Sequence, residues 1–199
     1  MVQLKDQIVE QADLLLTDKE TNVLGADLIL KESRVVLQVN AKRLTLLDVI
    51  KFIECDITAK RPLRDFRWHA ALLHACRFHG TFIGNCFGQR LEESPSGGIE
   101  QCDFSEAILD GCAFYGCDMA SIILPKWPCF TLLNLTDRIK EMTSLEWPGE
   151  LGTWVRSYSC FPLGNMVAAT DYAPTLMKQY KVSEEQLDQA ISRLSNLHR

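Results

Sequence analysis

No run of about twenty apolar residues occurs in the 199-residue chain, so a membrane-spanning helix is not expected. The opening MVQLKDQIVEQ has no apolar core of the kind a secretory signal needs, which favours a cytoplasmic location. A basic excess is missing too: 21 Lys and Arg face 26 Asp and Glu, a net charge of −5. Readers of nucleic acid usually carry a basic face, so a nucleic-acid partner is disfavoured. Catalytic signatures are also lacking. There is no GxSxG, no HExxH, and no Gly-Lys-Ser/Thr after Gly97–Gly98 to make a phosphate loop. No CxxC pair is present, so zinc is not expected despite eight cysteines. Disorder is excluded by 47% hydrophobic and 24% charged residues, the balance of an ordinary globular protein.

What is present is a period of five. From Cys102 the chain reads CDFSE, AILDG, CAFYG, CDMAS, IILPK. First positions are small or aliphatic (Cys102, Ala107, Cys112, Cys117, Ile122) and third positions large and apolar (Phe104, Leu109, Phe114, Met119, Leu124). Neither the 3.6-residue helix nor the two-residue strand gives this spacing. Fixed-period self-similarity marks a repeat architecture. The spacing recurs from Phe66 to Arg90 as FRWHA, ALLHA, CRFHG, TFIGN, CFGQR, and from Thr45 to Ala59 as TLLDV, IKFIE, CDITA. Lys60–Asp65, with Pro62, breaks the phase by one residue.

These blocks resemble the pentapeptide-repeat family, whose units centre on Leu or Phe and stack four to a turn. The resemblance covers residues 45–126. It implies a mainly β fold, a right-handed four-sided β-helix, here with an N-terminal cap and a C-terminal α-helical region. The expected organisation is a helix and cap strands in 1–44, the solenoid in 45–128, and a helical region in 129–199 packed on it. Within the first part, Lys5–Leu16 is read as an amphipathic helix, with Asp27–Leu30 and Val35–Val39 as short strands. The segment Leu91–Gln101 reads as an inserted loop from its Pro95, Gly97 and Gly98. Either it replaces one side of a coil, setting Cys102 over Cys76, Ala107 over Thr81 and Cys112 over Cys86, or it bulges from a corner and shifts that register by one side. Helical spacing then appears in Leu135–Met142 and Tyr172–Tyr180, and Ser183 with Gln186 fits a capping box.

Most of the cysteines (Cys55, Cys76, Cys86, Cys102, Cys112, Cys117) fall at the small inward position, where a free thiol serves as a small buried group. Cys129 and Cys160 lie outside the repeat. His69, His74 and His79 fall at outward positions on successive sides, too divergent to share a metal. No catalytic residue, metal or cofactor is expected. The outward positions do offer a binding surface. Asp103, Glu106, Asp110 and Asp118 form a candidate acidic patch for a basic partner. Phe82 and Phe87, with Ile108 and Tyr115, form a candidate apolar patch to be covered by the C-terminal helices or by a partner.

With the family resemblance, a small acidic scaffold without catalytic signatures points to a non-enzymatic protein-binding protein. The expectation is a bacterial immunity protein that neutralises a cognate toxin, the partner being another protein such as a basic toxin domain. Two alternatives stand beside it. One is topoisomerase protection by duplex mimicry, for which ten good blocks, about 2.5 coils at about 4.8 Å each, make a short rod. The other is an enzyme in the C-terminal region, using Trp154, Arg156, Tyr158, Cys160 and Asp171.

Overall fold

A computed structural model describes residues 2–47, 50–90, 97–159 and 164–199. The chain winds as a β-solenoid of about four turns, followed by a smaller unit with four helices. The first coil carries β1 (Val2–Leu4), β2 (Ile8–Glu10) and β3 (Asp13–Thr17). The second has β4 (Asn22–Leu24), β5 (Ile29–Lys31) and β6 (Arg34–Gln38). The third has β7 (Leu44–Leu46), β8 (Ile50–Ile53) and β9 (Asp56–Arg64). The fourth has β10 (Ala71–His74), β11 (Arg77–Ile83) and β12 (Cys86–Gly88). The last has β13 (Gly98–Glu100), β14 (Ala107–Asp110) and β15 (Cys112–Tyr115). Stacking is parallel: β2, β5, β8, β10 and β13 make one sheet, and β3, β6, β9, β11 and β14 another.

Four inward columns fill the solenoid. Val9, Leu30, Phe52, Leu73 and Ile99 are register partners in one column. The equivalents on the next side are Leu14, Val35, Ile57 and Phe78, with Phe104 stacked on Phe78 at 4.4 Å. Leu63, Phe82 and Leu109 make a third. In the fourth, Trp68, Phe87 and Phe114 stack face to face at 5.9 and 5.4 Å. The aromatic rings are concentrated in the later coils, where edge-to-face and offset contacts add to area burial.

One corner repeats in every coil. Gln11, Glu32, Glu54, Ala75 and Gln101 all take φ between 49° and 54°, in the left-handed region. The first four each donate their N–H to the coil above, to Lys31, Ile53, His74 and Glu100 carbonyls respectively. That ladder offsets the cost of a left-handed non-glycine residue, about 1 kcal/mol or more. The residue after the corner turns inward, and in successive coils it is Ala12, Ser33, Cys55, Cys76 and Cys102. Ser33 Oγ donates to the carbonyl two residues back (2.8 Å), as do the thiols of Cys55, Cys76 and Cys102 at 3.4–3.5 Å. Each thiol also reaches the coil below, at Leu30, Phe52 and Leu73. Cysteine is therefore used as a small donor as well as a small apolar group.

Three expectations need correction. Lys5–Leu16 is not a helix: it holds β2 and β3 with the corner at Gln11 between them. Leu4, Val9 and Leu14 keep the five-residue step and pack on the solenoid core, so the solenoid starts in the first residues, not at residue 45. The phase from Thr81 to Gly88 is one residue out. Gly80 pairs with Ala59 and Phe82 with Leu63, so the extra residues of Lys60–Pro62 bulge outward against a single partner. At Gly80 (φ +92°) a Cβ would stand 2.2 Å from the Ala59 carbonyl oxygen, so only glycine fits this slip. Finally, Asn85 and not Cys86 fills the small inward slot, its amide donating to the carbonyls of Leu63 and Ile83.

Across the inserted segment, β13 pairs with β10, and Asp103 N–H donates to the Cys76 carbonyl. The insertion thus supplies one side and sets Cys102 above Cys76, while Ala107 sits over Gly80 and Ala113 over Cys86. Residues 91–96 of that loop lie outside the described residues.

The C-terminal unit begins with β16 (Cys129–Leu133), then α1 (Leu135–Ser144), α2 (Leu151–Ser159), β17 (Met166–Tyr172), α3 (Ala173–Tyr180), α4 (Glu184–Ile191) and β18 (Leu197–His198). It is not purely helical. Its three strands extend β15 in the order β15-β17-β16-β18, all antiparallel. Ser183 and Gln186 form the expected capping box. The helices cover a second core around Phe130, Leu132, Trp154, Leu176 and Leu187. At this end the last tier is closed, since Cys129 Sγ reaches the Leu109 carbonyl and Ile123 pairs with Asp103.

Candidate protein-interaction surface

The four acids do not form one patch. Asp103 and Glu106 come together on the last coil, around an open notch of about 390 Å³ lined with Arg77, Phe78, His79 and Ser105. Asp103 Oδ1 accepts from Ser105 N–H at 2.8 Å, a tight turn that brings the Glu106 side chain beside His79. Glu106 Oε2 lies 3.0 Å from His79 Nδ1, and the other ring nitrogen is 3.8 Å from Asp56. Asp110 is instead engaged at the joint with the C-terminal unit, where its Oδ2 accepts from Thr175 Oγ1 at 2.8 Å. Asp118 caps the 3-10 turn Met119–Ser121 through Ala120 N–H. It borders a separate hollow of about 480 Å³, together with Leu72, His74 and Glu100.

The notch ends a column of alternating sign. Register pairs Asp13 with Arg34, Arg34 with Asp56, Asp56 with Arg77, and Arg77 with Asp103. Opposite charges directly across a strand pair favour this register by a few tenths of a kcal/mol each, and like charges would oppose it. The column makes this face neutral overall. Only at its end does a second carboxylate, Glu106, tip the balance to negative.

Phe82 and Phe87 are not a surface. Both are 0% exposed, in ring contact with Phe78 at 5.7 and 5.6 Å. The slip at Gly80 turns them inward, so they belong to the core and cannot meet a partner. Tyr115 is buried as well, edge-on to His69 at 5.5 Å, whereas Ile108 remains on the surface. Of the histidines expected outside, His69 is buried with Nδ1 2.9 Å from the Gly88 carbonyl, and only His74 and His79 are partly exposed.

In the C-terminal unit, Trp154, Tyr158 and Asp171 do converge. Trp154 Nε1 and Tyr158 OH both donate to Asp171 Oδ2, at 3.0 and 2.6 Å. Burial pushes the Asp171 carboxyl up to about 6, against the pull of these two donors, while nearby Asp110 pushes the same way as burial. The same burial holds the Tyr158 hydroxyl well above its ordinary range. The group ties α2 to β17 under the last solenoid coil, with both donors spent on one oxygen. Arg156 turns aside to Thr153 Oγ1, and Cys160 lies outside the described residues.

Burial also raises the thiols of Cys112, Cys117 and Cys129, Cys117 to about 12. All the described cysteines are free. Among the described residues no group of three or more His, Cys, Asp or Glu is placed to hold a metal ion, and no helix is long and apolar enough to cross a membrane. Sequence reasoning missed Arg77 and His79 as partners of the acids. Their signal was the coil step, since Arg77 follows Asp56 by 21 residues. Comparison with known proteins returns no matching family model, no curated relative and no matching solved structure.

Proposed function

We propose that the chain is a non-enzymatic protein-binding scaffold of pentapeptide-repeat type that neutralises a basic partner protein, as an immunity protein neutralises its toxin. The observation that carries this reading is the convergence of Asp103 and Glu106 at one open notch on a stacked sheet. A guanidinium or ammonium from a partner would enter between the two carboxylates, and its charge would displace His79 from Glu106. Because the strands beneath are fixed by the ladder, little ordering cost attends binding.

Duplex mimicry fits less well. Five stacked strands give about 19 Å of rod at about 4.8 Å per step, and the column of alternating sign does not resemble a phosphate backbone. Catalysis at Asp171 is disfavoured by the burial of its carboxyl and by two donors already bound there.

The test is affinity capture from the native host with the parent chain and with Asp103→Lys/Glu106→Lys as baits. A protein held by the parent, lost with the double variant and released by salt supports the reading. Equal capture by both baits refutes the notch as the site.

A further inference from the structure

The two ends of the solenoid differ. The last coil is closed by β16, β17 and the helices, but in the first coil β1, β2 and β3 are each the outermost strand of their sheet among the described residues. The core stops there without a cover: Leu4, Val9 and Leu14 point into the solenoid yet are only partly buried. Beside them Ile8 and Leu15 are 65% and 56% exposed, the first of these being the most exposed large apolar side chain described. Three open edges with an apolar centre are a template for further strand pairing.

We infer that this end is an interface with a second copy of the chain, the two first coils meeting head to head. Three observations select that occupant. First, the edges lie on different sides of one coil, at a step of 21 or 22 residues per turn (Ile8 pairs with Ile29, and Ile29 with Lys51). A single added peptide strand satisfies one edge and leaves the others open, whereas a coil of equal perimeter meets all three. Second, the area suffices. With about five residues a side at about 3.3 Å each, and about 5 Å of side chain beyond, the tier covers roughly 650 Å² per copy. The total of about 1,300 Å² falls within the range of stable interfaces. Third, charge does not oppose it. Glu10 is paired with Lys31 and Asp18 with Arg61 in later coils, and Lys5 and Lys19 balance Asp6 and Asp13 around the rim.

A two-fold axis perpendicular to the solenoid reverses the mate's winding direction, so the edges pair antiparallel. The contact is isologous and closes as a dimer. Both C-terminal units then lie at the far ends, and the two notches face outward, one on each copy. This inference does not rest on the notch being a binding site.

Sedimentation of the full chain from about 1 to about 100 µM tests it. The expected species is a dimer of twice 22.6 kDa. In Ile8→Lys/Leu15→Lys the juxtaposed charges should raise the dissociation constant by about 100-fold, with the circular dichroism unchanged because both side chains are exposed. Ile123→Lys, an equally exposed position at the other end, should leave the dimer intact. In hydrogen exchange, the amides of β1, β2 and β3 should gain protection with concentration. A monomer at 100 µM, a dimer indifferent to the two lysines, or one lost equally with Ile123→Lys overturns the inference.

Discussion

Replacing Asp171 by Asn should change how stability depends on pH rather than simply lower it. The carboxyl is buried against Trp154 and Tyr158, near Asp110, and its value rises from 3.8 to about 6. A raised value means the folded state holds the proton more tightly than the unfolded chain. The stability this contributes is therefore complete below about pH 3.8 and is lost as pH rises through about 6. A shift of about two units corresponds to roughly 3 kcal/mol over the whole titration. Between about pH 5 and about pH 7.5 the expected change is about 1.4 kcal/mol. Asn cannot ionise, and its carbonyl oxygen can still accept from Trp154 Nε1 and Tyr158 OH. Urea unfolding of both proteins at the two pH values isolates the effect, because other titrating groups cancel in the difference. Relative to the parent, the variant should gain about 1.4 kcal/mol on going to the higher pH. A difference that stays constant across this window would refute the burial argument, whatever the absolute stabilities.

Further outcomes follow from the core and the thiols. Phe104→Ala removes a fully buried ring in contact with Phe78, Phe87 and Phe114. It should cost about 3–5 kcal/mol, and lower the melting temperature by roughly 10 °C or more. Ile108→Ala, on the surface of the same coil, should cost less than about 1 kcal/mol, and thermal unfolding of the pair checks the assigned phase. At about pH 8 a thiol reagent should leave Cys112 and Cys129 unmodified until the protein unfolds, since both are buried and burial raises both thiols; fast labelling of either would contradict their placement.

The five-residue step was legible where each coil side is a clean block. Cys102, Phe104, Ala107, Leu109, Cys112 and Phe114 all point inward as their spacing required. What misled was local departure from that step. Ile8, Ala12, Leu15 and Leu16 happen to lie on one helical face, which hid the step of Leu4, Val9 and Leu14. A left-handed Gln11 carries no sequence signal, because glutamine is not a usual choice for that conformation. At Gly80 a slip of one residue exchanges the two faces of a strand. Phe82 and Phe87 were thereby read as surface, though a large apolar residue at an outward position was itself the sign of a wrong phase. The acids were recognisable as outward residues. Their partners were not, since which charge stands over which depends on insertions such as Lys60–Pro62 that change the step per turn.

Binding of a basic protein at the notch is tested most directly by the ionic-strength dependence of its association rate. With the captured partner, parent chain and Asp103→Lys/Glu106→Lys should be compared at about 0.03 and about 0.3 M salt, where screening lengths bracket about 10 Å. The parent should associate faster at low salt, and the double variant should be slower there and converge with the parent at high salt. Asp118→Lys, across the surface and outside the notch, should have a smaller effect. Equal rates for parent and double variant at both salt concentrations would contradict a functional role for Asp103 and Glu106.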